Sequence, residues 1–224
     1  MSIPIDRLVR SRRKTVAILI DRDGRLTVRA PLRLSMPRIQ EFVESHADWI
    51  AKTLARLQAV SPPPAQRYAD GETLLFLGQA YPLSIVPARR PALTFDGAAF
   101  QLAKSSLPGA VGIFEAWYRQ QARLFLAERV PVLAKKHGFK YQKIRISSAR
   151  TRWGSCSSRG TLSFTYRLIM APAEVVDYVI LHELVHTQIR NHSKTFWNKV
   201  AELMPDYKPR LAWLKKNGKF LMVS

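Results

Sequence analysis

The chain has 224 residues, 47% of them hydrophobic, which fits one large domain or two small ones and excludes wholesale disorder. Its 36 lysines and arginines against 16 aspartates and glutamates give a net charge of +20, a surface that attracts polyanions such as nucleic acid, nucleotides or anionic lipid. A single cysteine, Cys156, excludes an intrachain disulfide and any zinc site built on two or four thiolates. The first residues carry no apolar stretch behind their charges, and no apolar run reaches the length of a membrane span, so no membrane association and a reducing, cytoplasmic location are expected.

Residues 13–30 have a hairpin pattern: Val16, Ile18 and Ile20 alternate, Asp21-Arg-Asp-Gly24 supplies turn chemistry, and Leu26, Val28 and Ala30 resume the alternation. A helix is predicted from Pro37 to about Gln58, with Ile39, Phe42, Val43, Trp49, Ile50, Leu54 and Leu57 on its apolar face. Ser61-Pro-Pro-Pro64 reads as a stiff linker, and strand-like runs follow at 72–77, 81–86, 92–95 and 98–103. At Pro108-Gly109 the character changes. The expected architecture is α+β, with a β-rich N-terminal subdomain carrying one helix over 1–107 and a second domain over 108–224.

In that second part, 110–137 is predicted helical, with Phe114, Trp117, Leu124, Phe125, Val130 and Leu133 as core candidates and Pro131 expected to kink or divide it. Strands are predicted at Lys143–Thr151 and Thr161–Leu168, joined by a turn through Gly154 to Gly160. Pro172 opens a helix to 190, Ser193 caps another to Met204, and Pro209 starts a last one that Gly218 should stop.

Three of the five histidines fall in one window, His182-Glu-Leu-Val-His186 followed by His192. Residues four apart share a helix face, so His182 and His186 can reach one metal ion. Glu183, rotated by about 100° from His182, can approach a water at that ion without ligating it. His192 can join only if the chain turns after His186, and Asn191, tolerant of left-handed backbone, is the expected stopping point. A buried His-Glu-His trio without a metal would be costly among Ile180, Leu181, Leu184 and Val185. Neutral imidazoles in such a setting favour Zn²⁺ with an open fourth position.

The stretch Arg150-Thr-Arg-Trp-Gly-Ser-Cys-Ser157, with Tyr166-Arg-Leu-Ile169, Asp177-Tyr178, the His182–His186 motif, Asn191-His-Ser193 and Phe196-Trp197, resembles the YgjP-like metallopeptidase family. That family belongs to the zincins and is related to the SprT-like and WLM proteases. Weaker matches at Arg13-Lys14, Gly24, Val28-Arg-Ala-Pro31, Trp49-Ile50 and Leu77-Gly78 extend the resemblance to nearly the whole chain. It implies a zincin-like catalytic domain over 108–224, with His182, His186 and His192 as zinc ligands and Glu183 as catalytic acid/base. One departure is Phe164-Thr-Tyr-Arg-Leu168, where the family usually has Leu-Asn-Trp-Arg-Leu. Metzincins share the ligand spacing but carry Gly where Ile189 stands.

The expected chemistry is amide hydrolysis by a zinc-activated water, with Glu183 moving its proton to the leaving amine. Tyr166 or Arg167 is a candidate oxyanion donor, and Arg152 and Arg167, expected on paired strands flanking a cleft, are candidate carboxylate or phosphate contacts. Trp153 reads as a core anchor and Gly154 as a turn or bulge residue, while Cys156 is outside the ligand set. Two other functions compete: metal-dependent phosphohydrolysis of a nucleoside triphosphate, and nucleic-acid binding or nucleic-acid-associated proteolysis. The latter would use the basic runs Lys135–Arg145 and Lys208–Lys219, although solvated faces are the default for such runs. No Gly-rich phosphate loop supports the nucleotide reading.

Overall fold

Alternating and helical apolar patterns resolve into three small sheets and six α-helices among the described residues of the computed structural model, which are 3–21, 24–58, 68–88 and 90–223. The chain forms two compact units, 1–64 and 65–224. The α+β class expected from sequence is observed. Ser61–Pro64, Arg22, Asp23 and the Leu57 side chain lie outside the described residues.

The first unit holds β1 (Arg7–Ser11), β2 (Ala17–Ile20) and β3 (Leu26–Pro31) in the order β1-β3-β2, with β3 parallel to β1 and antiparallel to β2. Leu26, Val28 and Ala30 all point from β3 into a core completed by Ile39, Val43 and Ile50. Those last three come from two helices, α1 (Met36–Glu44) and α2 (Ala47–Gln58), where sequence suggested one. The break falls at Ser45-His46: both side chains bond back to the Phe42 carbonyl, at 2.8 Å each, and take up the acceptor that a continuing helix needs. Trp49, expected on the apolar face, is 48% exposed.

In the second unit β4 (Thr73–Phe76), β5 (Gln79–Val86), β6 (Leu93–Phe95) and β7 (Phe100–Ala103) form a sheet ordered β4-β5-β7-β6. Its Phe76, Phe95 and Phe100 make edge-on contacts with Trp117 of α3 (Ala110–Lys136), at ring separations of 4.9 to 5.7 Å. These strands therefore share a core with α3, and position 108, where composition changes, lies inside this unit. Helix α3 runs through Pro131 undivided, because Val130, Leu133 and Ala134 are buried on both sides of it and packing outweighs the lost hydrogen bond. Leu124 is 59% exposed and not a core residue.

The third sheet, β8 (Lys143–Ser147), β9 (Gly154–Cys156) and β10 (Thr161–Thr165), is ordered β8-β10-β9, with β10 parallel to β8 and antiparallel to β9. The expected Gly154–Gly160 turn thus contains a strand. The second predicted strand ends at Thr165, where a buried 3₁₀ turn, Tyr166–Met170, takes over. Helix α4 (Ala173–Val185) is buried on nearly every side, and α5 (Lys194–Leu203) and α6 (Tyr207–Val223) pack beside it. Gly218 does not stop α6. A Cβ there would sit 3.1 Å from the Trp153 indole, so the glycine serves close approach of helix and ring. No described helix is long and apolar enough to cross a membrane.

Candidate metal centre

Helix α4 ends at Val185, earlier than the residue 190 expected. The Thr187 hydroxyl donates to the Leu184 carbonyl at 2.7 Å while the 187, 188 and 189 amides fold back onto Leu184 and Val185, which closes the helix with a tight turn. His182 sits in the last helical turn, His186 is the C-cap one turn further on, and His192 lies in the bend before α5. Ser193 caps α5 as expected, its Oγ accepting from the Phe196 amide at 3.5 Å. Arg190 pins the intervening loop by donating to the Ser157 and Ser158 carbonyls at 2.7 and 2.9 Å.

One side-chain nitrogen from each of the three rings falls within 4.8 Å of the others. His192 Nε2 is 3.2 Å from His186 Nε2 and 3.0 Å from His182 Nε2. The His186 Nδ1–H donates to the Ile189 carbonyl at 2.9 Å, which leaves its Nε2 as a lone pair facing the other two rings. Burial, reinforced by the neighbouring rings, pushes His182 down to about 3, and burial also lowers His186. These two rings are therefore neutral at physiological pH, the state a metal requires. Nitrogen ligands at the corners of a tetrahedron around zinc stand about 3.3 Å apart, close to the spacings here. The donor set fits a divalent transition metal.

Phe196, fully buried, supports all three imidazoles, with ring separations of 4.9 Å to His182, 4.5 Å to His186 and 4.8 Å to His192. Trp197 stacks on His192 at 5.7 Å, and Tyr178 lies 5.9 Å from His182. This apolar floor fixes the rings and keeps water from one side of them.

Glu183 is 5% exposed, and its Oε2 has no hydrogen-bond partner among the described residues. Burial pushes its carboxyl up to about 8, opposed by the positive charge of Arg152. A Cβ at position 154 would lie 2.6 Å from both Cγ and Oε1 of Glu183, so β9 can pass the carboxylate only as glycine. Gly154 is a residue of close approach, where sequence suggested a turn or bulge. A cavity of roughly 300 Å³ opens beside this pair, lined by Arg152, Gly154, Tyr178, His182, Glu183 and Lys215 among others.

Of the three other candidates, Arg152 lines that cavity and Tyr166 and Arg167 do not. The 3₁₀ turn breaks strand alternation and buries Arg167 to 2% exposure, its guanidinium 4.3 Å from the Tyr166 ring centre. Both line a separate small cavity with Tyr68 and Glu115. Cys156 is half-buried, next to Arg190 and outside the histidine group; burial raises its thiol pKa. His46 follows the end of α1 in the first unit and His137 is the α3 C-cap; neither belongs to the histidine group. Sequence reasoning missed Tyr178, Phe196 and Lys215 as site residues. Only the Tyr178 and Phe196 positions carried a signal, as members of the motif blocks.

An α+β fold with a helix-borne His-Glu-x-x-His segment and a third histidine beyond the turn has the makings of a metal-dependent hydrolase. The chain matches the family model described as "YgjP-like, metallopeptidase domain" over residues 14–217, and it belongs to that family of metal-dependent peptidases. No curated protein matches it. Among solved structures, the crystal structure of the metallopeptidase zymogen of Pyrococcus abyssi abylysin is similar over 41% of this chain and 93% of its own, at 20% identity and a TM-score of 0.37.

Proposed function

We propose that the chain is a zinc-dependent peptidase in which His182, His186 and His192 hold the metal and Glu183 is the general base and acid. The observation that carries this reading is the convergence of three imidazole nitrogens within 4.8 Å of one another next to a buried carboxyl whose Oε2 has no hydrogen-bond partner among the described residues. An all-imidazole donor set suits zinc, copper, iron or nickel, and a redox-inert site open to hydrolysis favours zinc. A divalent cation bound there supplies Lewis acidity, polarising a carbonyl oxygen and lowering the pKa of water to about 7.

The chain's own residues do the remainder. Glu183, held against Gly154 in a water-poor pocket, takes a proton from the attacking water on its carboxylate and returns it to the departing amine. Its low exposure keeps the accepted proton from escaping to bulk water before the amine departs. Burial chiefly keeps the Tyr178 hydroxyl protonated, pushed up to about 12, so it enters the cavity as a hydrogen-bond donor for the carbonyl oxygen that gains charge. Arg152 and Lys215 set a positive rim around the same cavity.

The test is hydrolysis of a dye-quenched casein by the purified chain. Turnover is expected with zinc present, to vanish on treatment with a strong chelator, and to return on adding zinc back. Turnover that survives complete metal removal contradicts the reading.

A further inference from the structure

Period-two alternation gives the β8-β10-β9 sheet two unlike faces. Leu162 and Phe164 of β10 are buried in the core, whereas Lys143 and Arg145 of β8 stand in register with Thr161 and Ser163, and Ser163 with Ser155 of β9. That second face floors a cavity of roughly 870 Å³ whose walls add Arg119, Arg152 and Arg159. Among the described residues its lining includes five cations and several hydroxyls, with no carboxylate and no aromatic ring. Arg119 is paired with Glu115, but Lys143, Arg145 and Arg159 make no ion pair among the described residues. A concave surface of one sign concentrates counter-charge far more than scattered solvated lysines do.

Arg152 lines both this cavity and the one beside His182 and Glu183. A polypeptide lying in the catalytic cavity therefore continues onto the basic face within the reach of one side chain. We propose that this face selects substrates: it binds an acidic segment, rich in Asp or Glu, that flanks the scissile bond. The proposal rests on the peptidase reading. Nucleic acid fits less well, because single strands bind through aromatic stacking platforms and the cavity lining has none.

The experiment uses the full-length, zinc-replete chain in a Glu183→Gln background, so that ligands are not consumed. Rhodamine-labelled peptides of equal length, rich in Glu, Gln or Lys, are titrated by fluorescence anisotropy at low and physiological salt. The Glu-rich peptide is expected to bind at least about tenfold more tightly than the Gln-rich one and to weaken with salt. The Arg145→Glu/Arg159→Glu double variant should lose that preference, whereas Lys208→Glu/Lys216→Glu, with the same change in net charge, should keep it. Arg145→Gln/Arg159→Gln serves as the milder pair, and the salt dependence of the unaltered face needs no variant to fold.

Equal binding of the three peptides by a chain that hydrolyses casein overturns the acidic-segment proposal and leaves the peptidase reading intact. Selective binding by a chain whose wild type hydrolyses no peptide sinks the peptidase reading and leaves the acidic ligand of the groove supported. Displacement of the Glu-rich peptide by single-stranded DNA or ATP at lower concentration than by its own unlabelled form assigns the face to polyphosphates and overturns the proposal.

Discussion

Replacing Glu183 by Gln is expected to lower kcat for peptide hydrolysis by about a hundred- to ten-thousand-fold while metal content stays at the wild-type level. The side chain is nearly isosteric, so the close contact with Gly154 survives. What disappears is the proton acceptor. None of the three histidine nitrogens depends on this carboxyl, so metal affinity has no reason to fall. Glutamine also leaves no charge to bury in a pocket where Glu183 is 5% exposed, and the variant is expected to be at least as resistant to urea. The check is kcat and metal stoichiometry measured on the same preparations. A variant with full turnover would show that another group moves the proton.

Phe196→Ala is expected to destabilise the chain by about 3–5 kcal/mol and to weaken metal binding by about ten- to a hundredfold. The ring is fully buried and lies within 4.9 Å of each imidazole, so truncation opens a cavity directly beneath the three rings. His182, whose Nδ1 has no hydrogen-bond partner among the described residues, then loses the packing that orients it. His186 keeps its bond to Ile189 and should be disturbed least. Urea unfolding of the metal-free chain gives the stability change, and competition against a zinc-binding dye gives the affinity. Phe196→Leu should restore most of the stability and less of the affinity, since an aliphatic group fills volume without presenting a flat surface to the rings. A variant that loses stability but binds zinc like wild type would show that the aromatic floor is structural only.

The helix that carries the candidate site was legible because its pattern is local. His182 and His186 are one turn apart, Glu183 is adjacent, and Ser193 is a strong cap, so short-range rules suffice. Most helices and strands elsewhere in the chain followed the apolar periodicity for the same reason. What short-range reading missed were decisions made by distant contacts. Buried neighbours carried α3 across Pro131, and Trp153 rather than a turn explains Gly218. Tyr166 and Arg167 looked like cleft residues while they were read as a strand, and the 3₁₀ turn instead folds them into a separate pocket. The basic sheet face was visible only as scattered charges, because its coherence depends on the parallel register of β8 with β10. Tyr178 and Lys215, thirty-seven positions apart and on different helices, come to one cavity, a proximity with no local signature.

X-ray absorption at the zinc edge on the purified, zinc-replete chain tests the central claim most directly. The expected spectrum fits one zinc per chain with three imidazole nitrogens at about 2.0–2.1 Å and a light oxygen scatterer, and loses one imidazole in His192→Ala. A chain that takes up no stoichiometric metal, or a spectrum without imidazole scattering, would contradict it.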